Sequence, residues 1–455
     1  MSLEGAIAAH RFGLGARAGE IDRASRDPKN WLKTQINMPA DQPAPMPGLS
    51  FMTGGELVVD MRHYQMERRD AKRNGTVPAD PVKAFFQSRV KQFIDELAAR
   101  YALGFTTDRP FAERLVWFWS NHFVVSAMNP RATTFVGAFE REVIRPHITG
   151  KFEDMVLAAM SHPAMLLYLD NAQSIGPDSL AGRRSGKGRN ENLGRELMEL
   201  YTLGVDGGYT QADVIAMANL LTGWTIDPTG DHNGFMFAPS RHQPGTVTLR
   251  GKTYGGSLDD GIRAIRDLAN DPATARHVAG KLATHFIADN PPPASVARLE
   301  KTFRDTGGDL RALAHTIVDD PAAWQPGLNK MRTPVEFVTA GYRMLGLPKG
   351  DNSEKQIRGA VAATRLMGET PLAPPAPKGW PDTSDAWCGP DAVLTRIEWA
   401  KQVAHALPPS VDALAVAASA LGPLLSADTR TVMARAESQA DAIAFLIASP
   451  EFQRR

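Results

Sequence analysis

The sequence is almost devoid of cysteine. Cys388 is the single cysteine among 455 residues, so no disulfide can form within the chain. No histidine lies beside Cys388 in the sequence, and no G-x-S-x-G motif occurs. The sequence therefore does not predict a catalytic cysteine or serine.

An excess of charge of either sign is also missing. Lysine and arginine total 51 and aspartate and glutamate total 50, which gives a formal net charge of +1. A chain so balanced has no overall field that would attract nucleic acid or an anionic membrane. The hydrophobic fraction of 43% and the charged fraction of 22% are those of a folded globular protein.

Long apolar runs are absent as well. No stretch of about 18 apolar residues occurs, so the sequence predicts no membrane span. The first residues, MSLEGAIAAHRFGLG, lack the basic start, apolar segment and cleavage site of a signal peptide. We therefore expect a cytoplasmic protein, with periplasmic placement by co-export with a partner as the alternative.

Helical periodicity dominates what is present. Apolar residues recur at helical spacing between Gly and Pro punctuation, which predicts a mainly α-helical protein, a large irregular helical bundle. Short alternation within residues 234–256 predicts a small β-hairpin flap. No repeat or linker is visible, so we expect a single helical domain over residues 1–408. Residues 409–455 should form a C-terminal helical edge packed on it.

Several motifs follow one another along nearly the whole chain. They are AAHRFGLGARAGEID near the start, RLVWFWSNHFVVS at 114–126, HPAMLLYLDNAQS at 162–174, the long segment 190–225 that begins NENLGRELMELYTLG, RTPVEFV at 332–338 and PPAPKGWPD ending at Asp382. Together they resemble the bacterial family catalogued as domain of unknown function 1800. The resemblance implies a mostly helical protein of unsettled activity, often exported and often encoded beside a sulfatase-like partner.

The helix predicted after residue 190 is the first candidate for a site. Its core-facing stripe consists of Leu193, Leu197 and Leu200. Glu196 lies at the edge of this stripe beside Asn192, and a carboxylate there is costly unless it is paired, hydrogen-bonded or bound to a metal. Glu196 is thus either a buried ion-pair partner or a catalytic residue. Arg195 joins it as a catalytic candidate, although its spacing from Glu191 also predicts a surface pair.

The second candidate is His122, which shares a helical stripe with the apolar residues Phe111, Leu115 and Trp119. Such a histidine is either a hydrogen-bonded core residue or a ligand, and neutral imidazole is the commonest protein ligand of metals. Trp119 is a candidate for cofactor binding, together with Asn192. A tryptophan beside a bound metal can in principle be oxidised to a redox cofactor.

Two further histidines extend the candidate metal site. His285 lies on an apolar helical stripe, whereas His242 lies in the irregular flap, where packing gives little reason for it. With His122 and Glu196 they would form a His/Glu site for a divalent transition metal. No two of these residues show the local spacing of a known motif such as HExxH.

A proline-rich loop supplies the last candidates. Trp380 and Asp382 lie within PPAPKGWPD, and rigid loops are where binding residues concentrate. We interpret Trp380 as a cofactor-binding residue and Asp382 as a catalytic residue.

These observations favour an enzyme with a central polar cleft. The expected chemistry is metal-assisted hydrolysis or a redox reaction on an unidentified small-molecule or polymer substrate. The rival interpretation is a non-catalytic binding or assembly protein that acts with the sulfatase-like partner. In that case the same polar residues are buried structural pairs.

Overall fold

The computed structural model describes residues 1–45, 50–76 and 81–455, with side chains except those of residues 81–89. Helices dominate these ranges and the strands are short, so the prediction of a mainly α fold with a small hairpin is confirmed. Within the described residues, no helix combines the length and apolar character needed to cross a bilayer.

Helices of the N-terminal part start at the signals that the sequence provides. Asp27 caps the helix that begins at Pro28, and Thr53 forms a capping box with Glu56 at the next helix. The α-helices of this part are α1 (Leu3–Ile7), α2 (Glu20–Ala24), α3 (Pro28–Thr34), α4 (Gly54–Arg73), α5 (Pro81–Thr106), α6 (Pro110–His122), α7 (Val136–Phe139), α8 (Arg145–His147), α9 (Phe152–Ser161) and α10 (Pro163–Tyr168).

The middle of the chain contains the strands. The helices here are α11 (Leu180–Ser185), α12 (Asn192–Glu196), α13 (Gln211–Leu220), α14 (Leu258–Ala269) and α15 (Pro272–Phe286). Helix α12 continues as a π-helical turn over Leu197–Tyr201. Thr210 and Asp213 form a capping box at α13, as their spacing predicts.

The strands of the predicted flap belong to two separate antiparallel pairs instead of one hairpin. β3 (Val247–Leu249) and β4 (Lys252–Tyr254) form an antiparallel hairpin inside residues 234–256. β2 (Phe235–Phe237), however, pairs back with β1 (Trp224–Ile226). Gly223, with φ of +80°, ends the preceding helical turn and lets the chain become extended at Trp224.

The C-terminal part is entirely helical apart from its loops. Its helices are α16 (Pro293–Thr306), α17 (Leu310–Asp319), α18 (Pro334–Leu345), α19 (Ser353–Leu366), α20 (Pro390–His405), α21 (Ala413–Leu421), α22 (Ala427–Ala434), α23 (Gln439–Ala448) and α24 (Pro450–Gln453).

Buried apolar side chains form two large clusters. One extends over α1, α3, α6, the central helices and α17, and the other joins α5, α18 and α19 to the helices from α20 onward. Phe118 and Trp119 of α6 belong to the first cluster, whereas Phe337 of α18 and Trp399 of α20 belong to the second. The C-terminal helices thus pack directly on α5 and α18.

A buried ionic bridge ties helices of both clusters together. Glu336 of α18 accepts from Arg114 of α6 at 2.5 Å and from Nε of Arg455 at 2.9 Å. Arg455 also donates from Nη1 to the carbonyl oxygen of His285 in α15, at 2.8 Å. The bridge therefore fixes α6, α15 and α18 relative to one another.

Loss of the central carboxylate should be costly. In Glu336→Ala, Arg114 and Arg455 keep their buried charges without a counterion, so we expect the free energy of unfolding to fall by about 3–5 kcal/mol. Urea unfolding followed by circular dichroism measures this change. The matched control is Glu354→Ala, which removes the carboxylate of a pair with Arg358 whose side chains are 58% and 43% exposed. It should cost at most about 1 kcal/mol, and equal losses in both variants would contradict the prediction.

Candidate functional site

The loop formed by residues 376–385, the Trp380 loop, is attached to the C-terminal end of α6. The Asn121 amide binds both backbone groups of Trp380: its Oδ1 accepts from the N–H and its Nδ2 donates to the carbonyl, each at 2.8 Å. Gly379 has φ of +83°, and a Cβ there would lie 2.5 Å from the carbonyl oxygen of Asn121. Only glycine allows this close approach of loop and helix.

Other contacts fix the rest of the Trp380 loop. Nζ of Lys330 donates to the carbonyl oxygen of Asp382 at 2.6 Å and to Oδ1 of Asp289 at 2.7 Å. The indole N–H of Trp387 donates to the carbonyl oxygen of Pro381 at 3.0 Å. The loop is therefore a rigid element, as its proline content predicts.

Two adjoining cavities meet at this loop. The inner cavity, of about 80 Å³, is lined by His285, Glu336 and Glu369 among others. The outer cleft, of about 520 Å³, is lined by residues of α15 and by the Trp380 loop. Both cavities share one wall, here called the shared wall, which consists of Asn121, Trp380, Pro381 and Asp382. The inner cavity has room for a few water molecules and the outer cleft for a small organic molecule.

Asp382 and His285 form a hydrogen-bonded pair at the shared wall. Nδ1 of His285 donates to Oδ1 of Asp382 at 2.7 Å, and no described residue binds the buried Nε2. Burial lowers the pKa of His285 to about 4, although Asp382 opposes this change. Burial also acts to raise the pKa of Asp382, but His285, Lys330 and Lys281 outweigh it and hold that pKa at about 2. Near neutral pH the pair is thus a carboxylate beside a neutral imidazole with a lone pair on Nε2.

The π-helical turn after α12 orients two more imidazoles. The carbonyl oxygens of Leu200 and Tyr201 accept from Nε2 of His277 and Nε2 of His122, each at 3.1 Å. Because a carbonyl can only accept, each ring carries its proton on Nε2 and its lone pair on Nδ1. Burial lowers the pKa of His277 to about 4 and that of His122 far below its usual value. The two neutral rings lie 6.1 Å apart.

Lys281 completes a polar stripe on α15. It lies one helical turn from His277 and one turn from His285, and all three point to the same side of the helix. Its half-buried side chain lines the outer cleft, and burial lowers its pKa while Asp382 opposes this effect. We did not predict His277 or Lys281, although the four-residue spacing in HVAGKLATH is visible in the sequence.

A buried carboxyl group occupies the inner cavity. Glu369 accepts from the backbone N–H of Val335 at 2.8 Å. Burial nevertheless raises the pKa of Glu369 to about 7, so this group can donate or accept a proton near neutral pH. The sequence gives no signal for it, since Glu369 lies in a turn between α19 and the proline-rich loop.

The structure brings several predicted site residues together. Asp382, His285 and Trp380 border the inner cavity, and His122 lies just behind the outer cleft, next to His277. Trp119 packs against His122 with 5.4 Å between ring centroids but lines neither cavity.

The other predicted residues lie apart from the cavities. Arg195 binds Glu191 at 3.2 Å, as its spacing suggests, and Asn192 is exposed. Glu196 is half-buried, and burial together with the neighbouring Glu199 raises its pKa. His242, within the flap, is buried with its Nδ1 2.7 Å from the carbonyl oxygen of Thr222.

The candidate metal site has no common ligand sphere. Among the described residues, no three or more His, Cys, Asp or Glu side chains are grouped so that they could hold a metal ion. His122, Glu196, His242 and His285 therefore do not meet around one point. Because these residues do not fit a metal held by three protein ligands, the mechanism below uses the chain's own acid–base groups.

These features define a mainly α-helical protein with a two-part cavity between α6, α15 and a proline-rich loop. The chain belongs to the family described as "Protein of unknown function (DUF1800)", whose match covers residues 7–454. The family resemblance predicted from the motifs is thus confirmed. No curated protein and no solved structure matches the chain.

The Asn121 contact makes Gly379 a sensitive position. In Gly379→Ala the new Cβ collides with Asn121 while the backbone keeps a positive φ, so we expect a loss of about 1–3 kcal/mol in the free energy of unfolding. The amide of Trp380 should also exchange its hydrogen faster. The control is Gly359→Ala in α19, where a Cβ meets nothing within 4 Å; it should gain up to about 1 kcal/mol. Unchanged stability and exchange in Gly379→Ala would refute the contact.

The lowered histidine pKa values predict a pH dependence. The unfolded chain binds protons as pH falls below 6.5, whereas the native His277 ring, with its pKa of about 4, does not. The free energy of unfolding should therefore be highest above pH 6.5 and fall between pH 6.5 and 4, by on the order of 3 kcal/mol for this ring. NMR titration of the ring and urea unfolding at several pH values test this. His277→Gln should flatten the curve, and a native ring that titrates near 6.5 would disprove it.

Proposed function

We propose that this protein is an enzyme that hydrolyses its substrate by acid–base catalysis at the shared wall. The observation that supports the proposal is the Asp382–His285 pair at 2.7 Å, whose Nε2 lone pair has no partner in the described part of the chain. A carboxylate behind an imidazole fixes the tautomer and stabilises the imidazolium that forms when the ring accepts a proton. The same arrangement serves as general base in many hydrolases.

The roles follow from the two cavities. His285 takes a proton from water in the inner cavity, and the hydroxide character that develops is directed at the substrate. Asp382 holds the ring and stabilises its positive charge. Glu369, with a pKa of about 7 in the same cavity, in its protonated form gives a proton to the leaving group as the bond to it breaks. His285 and Glu369 then return to their starting states by proton exchange with water. The substrate binds in the outer cleft, which has the volume for a small molecule or the end of a polymer. Its scissile group extends past the shared wall into the inner cavity, which His285 lines.

Metal-assisted hydrolysis and a redox reaction remain alternative proposals, each with its own test. Elemental analysis of the purified protein would detect a divalent transition metal, and absorption spectroscopy would detect an oxidised tryptophan such as Trp119 or Trp380. The rival proposal is an assembly protein that binds a sulfatase-like partner, in the cytoplasm or after co-export in the periplasm. The buried cavities favour the enzyme, because an assembly role does not require them.

The test is a turnover assay with paired substitutions. Wild type is assayed with chromogenic carboxylate, phosphate and sulfate esters and with glycosides. On any substrate that wild type hydrolyses, His285→Ala should lower kcat by about 10²-fold or more, since the base is lost. Asp382→Asn should keep the hydrogen-bonding shape but favour the wrong tautomer, with a loss of up to about 10⁴-fold.

His405→Ala is the matched control, because His405 is 57% exposed and far along the chain on α20. It should retain the wild-type kcat. The acidic limb of the wild-type pH profile should also be absent from the profile of His285→Ala. Turnover that is equal in all variants, or absent from wild type on the entire panel, would contradict the enzymatic proposal and favour the assembly protein.

A further inference from the structure

The outer cleft contains a cation without a direct partner. Lys281 lines the cleft with its side chain half-buried, and no described residue forms a hydrogen bond or ion pair with its Nζ. Its Nζ is therefore free to bind a group of opposite charge that enters the cleft. The acid–base mechanism proposed above does not use this group.

Carboxylates around Lys281 are already engaged. Asp382 is the carboxylate whose charge acts on the pKa of Lys281. Its Oδ1 already accepts a hydrogen bond from His285 at 2.7 Å. Asp382 also has a second cation beside it, because Nζ of Lys330 donates to its carbonyl oxygen. The remaining neighbours on α15 and α6 are His277 and His122, whose imidazoles are neutral near pH 7. None of these groups forms a hydrogen bond or ion pair with the Lys281 ammonium, and Asp382 acts on it only from a distance.

The other polar groups of the cleft are also donors. Arg276 and Lys378 line it, and Arg276 is only loosely paired with Glu300 at 3.6 Å. The hydroxyl of Thr284, one turn after Lys281, lines the cleft and has no partner within the described residues. Gly280 leaves the floor open, because a Cβ there would meet nothing within 4 Å. The cleft therefore has an excess of positive charge and room beside the ammonium.

We propose that Lys281 binds an oxyanion group of the substrate, a carboxylate, phosphate or sulfate, in the outer cleft. Thr284 donates a second hydrogen bond, and Arg276 and Lys378 attract the anion to the entrance. The inference rests on the proposed function, because it identifies the substrate of the proposed hydrolase as an anion. The anion places the rest of the substrate against the shared wall, where His285 acts.

The test uses inorganic phosphate, sulfate and acetate as probes. Each is titrated into the full-length protein at constant ionic strength, with binding measured by calorimetry and by the shift of Tm. At least one anion should bind wild type, and Lys281→Met should weaken that binding about 10-fold or more. Lys281→Arg, which keeps the charge, should retain most of it. The matched control is Lys355→Met, which removes an exposed lysine of α19 and should bind as wild type does.

Mass spectrometry adds a site-specific readout. Acetic anhydride should modify Lys281 readily at neutral pH, because its lowered pKa leaves more free amine, and the bound anion should protect it. Equal affinity in wild type and Lys281→Met, or no binding of any probe, would overturn the inference. His285→Ala separates the two proposals. This variant should bind the anions as wild type does while it loses turnover. The anion site is therefore tested by the binding measurements alone, whether or not the protein hydrolyses a substrate.

Discussion

The carboxylate of Glu336 is the constraint on which the site depends. Two buried arginines, Arg114 and Arg455, are tolerated in the interior only because this carboxylate lies between them. Arg114 belongs to α6, which ends at Asn121 and His122, and Arg455 also holds the His285 carbonyl on α15. A single ionic bridge thereby sets the relative position of both helices that supply the polar residues of the cavities.

The Trp380 loop then closes the space that these helices leave. It reaches α6 through the Asn121 amide and α15 through Asp382 and His285. The contact with α6 requires the backbone to come close to the helix end, which Gly379 allows. Rigidity matters here, because a general base must stay within hydrogen-bond distance of its proton donor. A loop attached at two points to two helices, themselves fixed by Glu336, supplies that rigidity.

The sequence predicted the helical class, the family resemblance and the capping box at Thr210, because these follow from local spacing. It also selected Asp382 and His285 but did not pair them, since 97 residues separate them in the chain. Glu196 was selected because it lies at the edge of an apolar stripe. The stripe indicates the direction in which the side chain points, but it does not indicate which residues of other elements that side chain contacts. Lys281 and Glu369 were missed because only burial, which the sequence does not specify, makes them unusual.

Access to a cavity, together with a missing hydrogen-bond partner, is what sets the polar groups of α15 apart in this interior. Arg145, fully buried, binds Glu113 and Glu140 through its two terminal nitrogens and lines neither cavity, so its role is structural. Next to the shared wall, in contrast, Nε2 of His285 and Nζ of Lys281 have no partner among the described residues. Nε2 of His285 is buried, and an unsatisfied buried group costs about 1–3 kcal/mol, a cost that a ligand or a reacting atom in the cavity removes. A free base and a free cation lie one turn apart on one stripe of α15, so one bound molecule that extends from the outer cleft into the inner cavity reaches both.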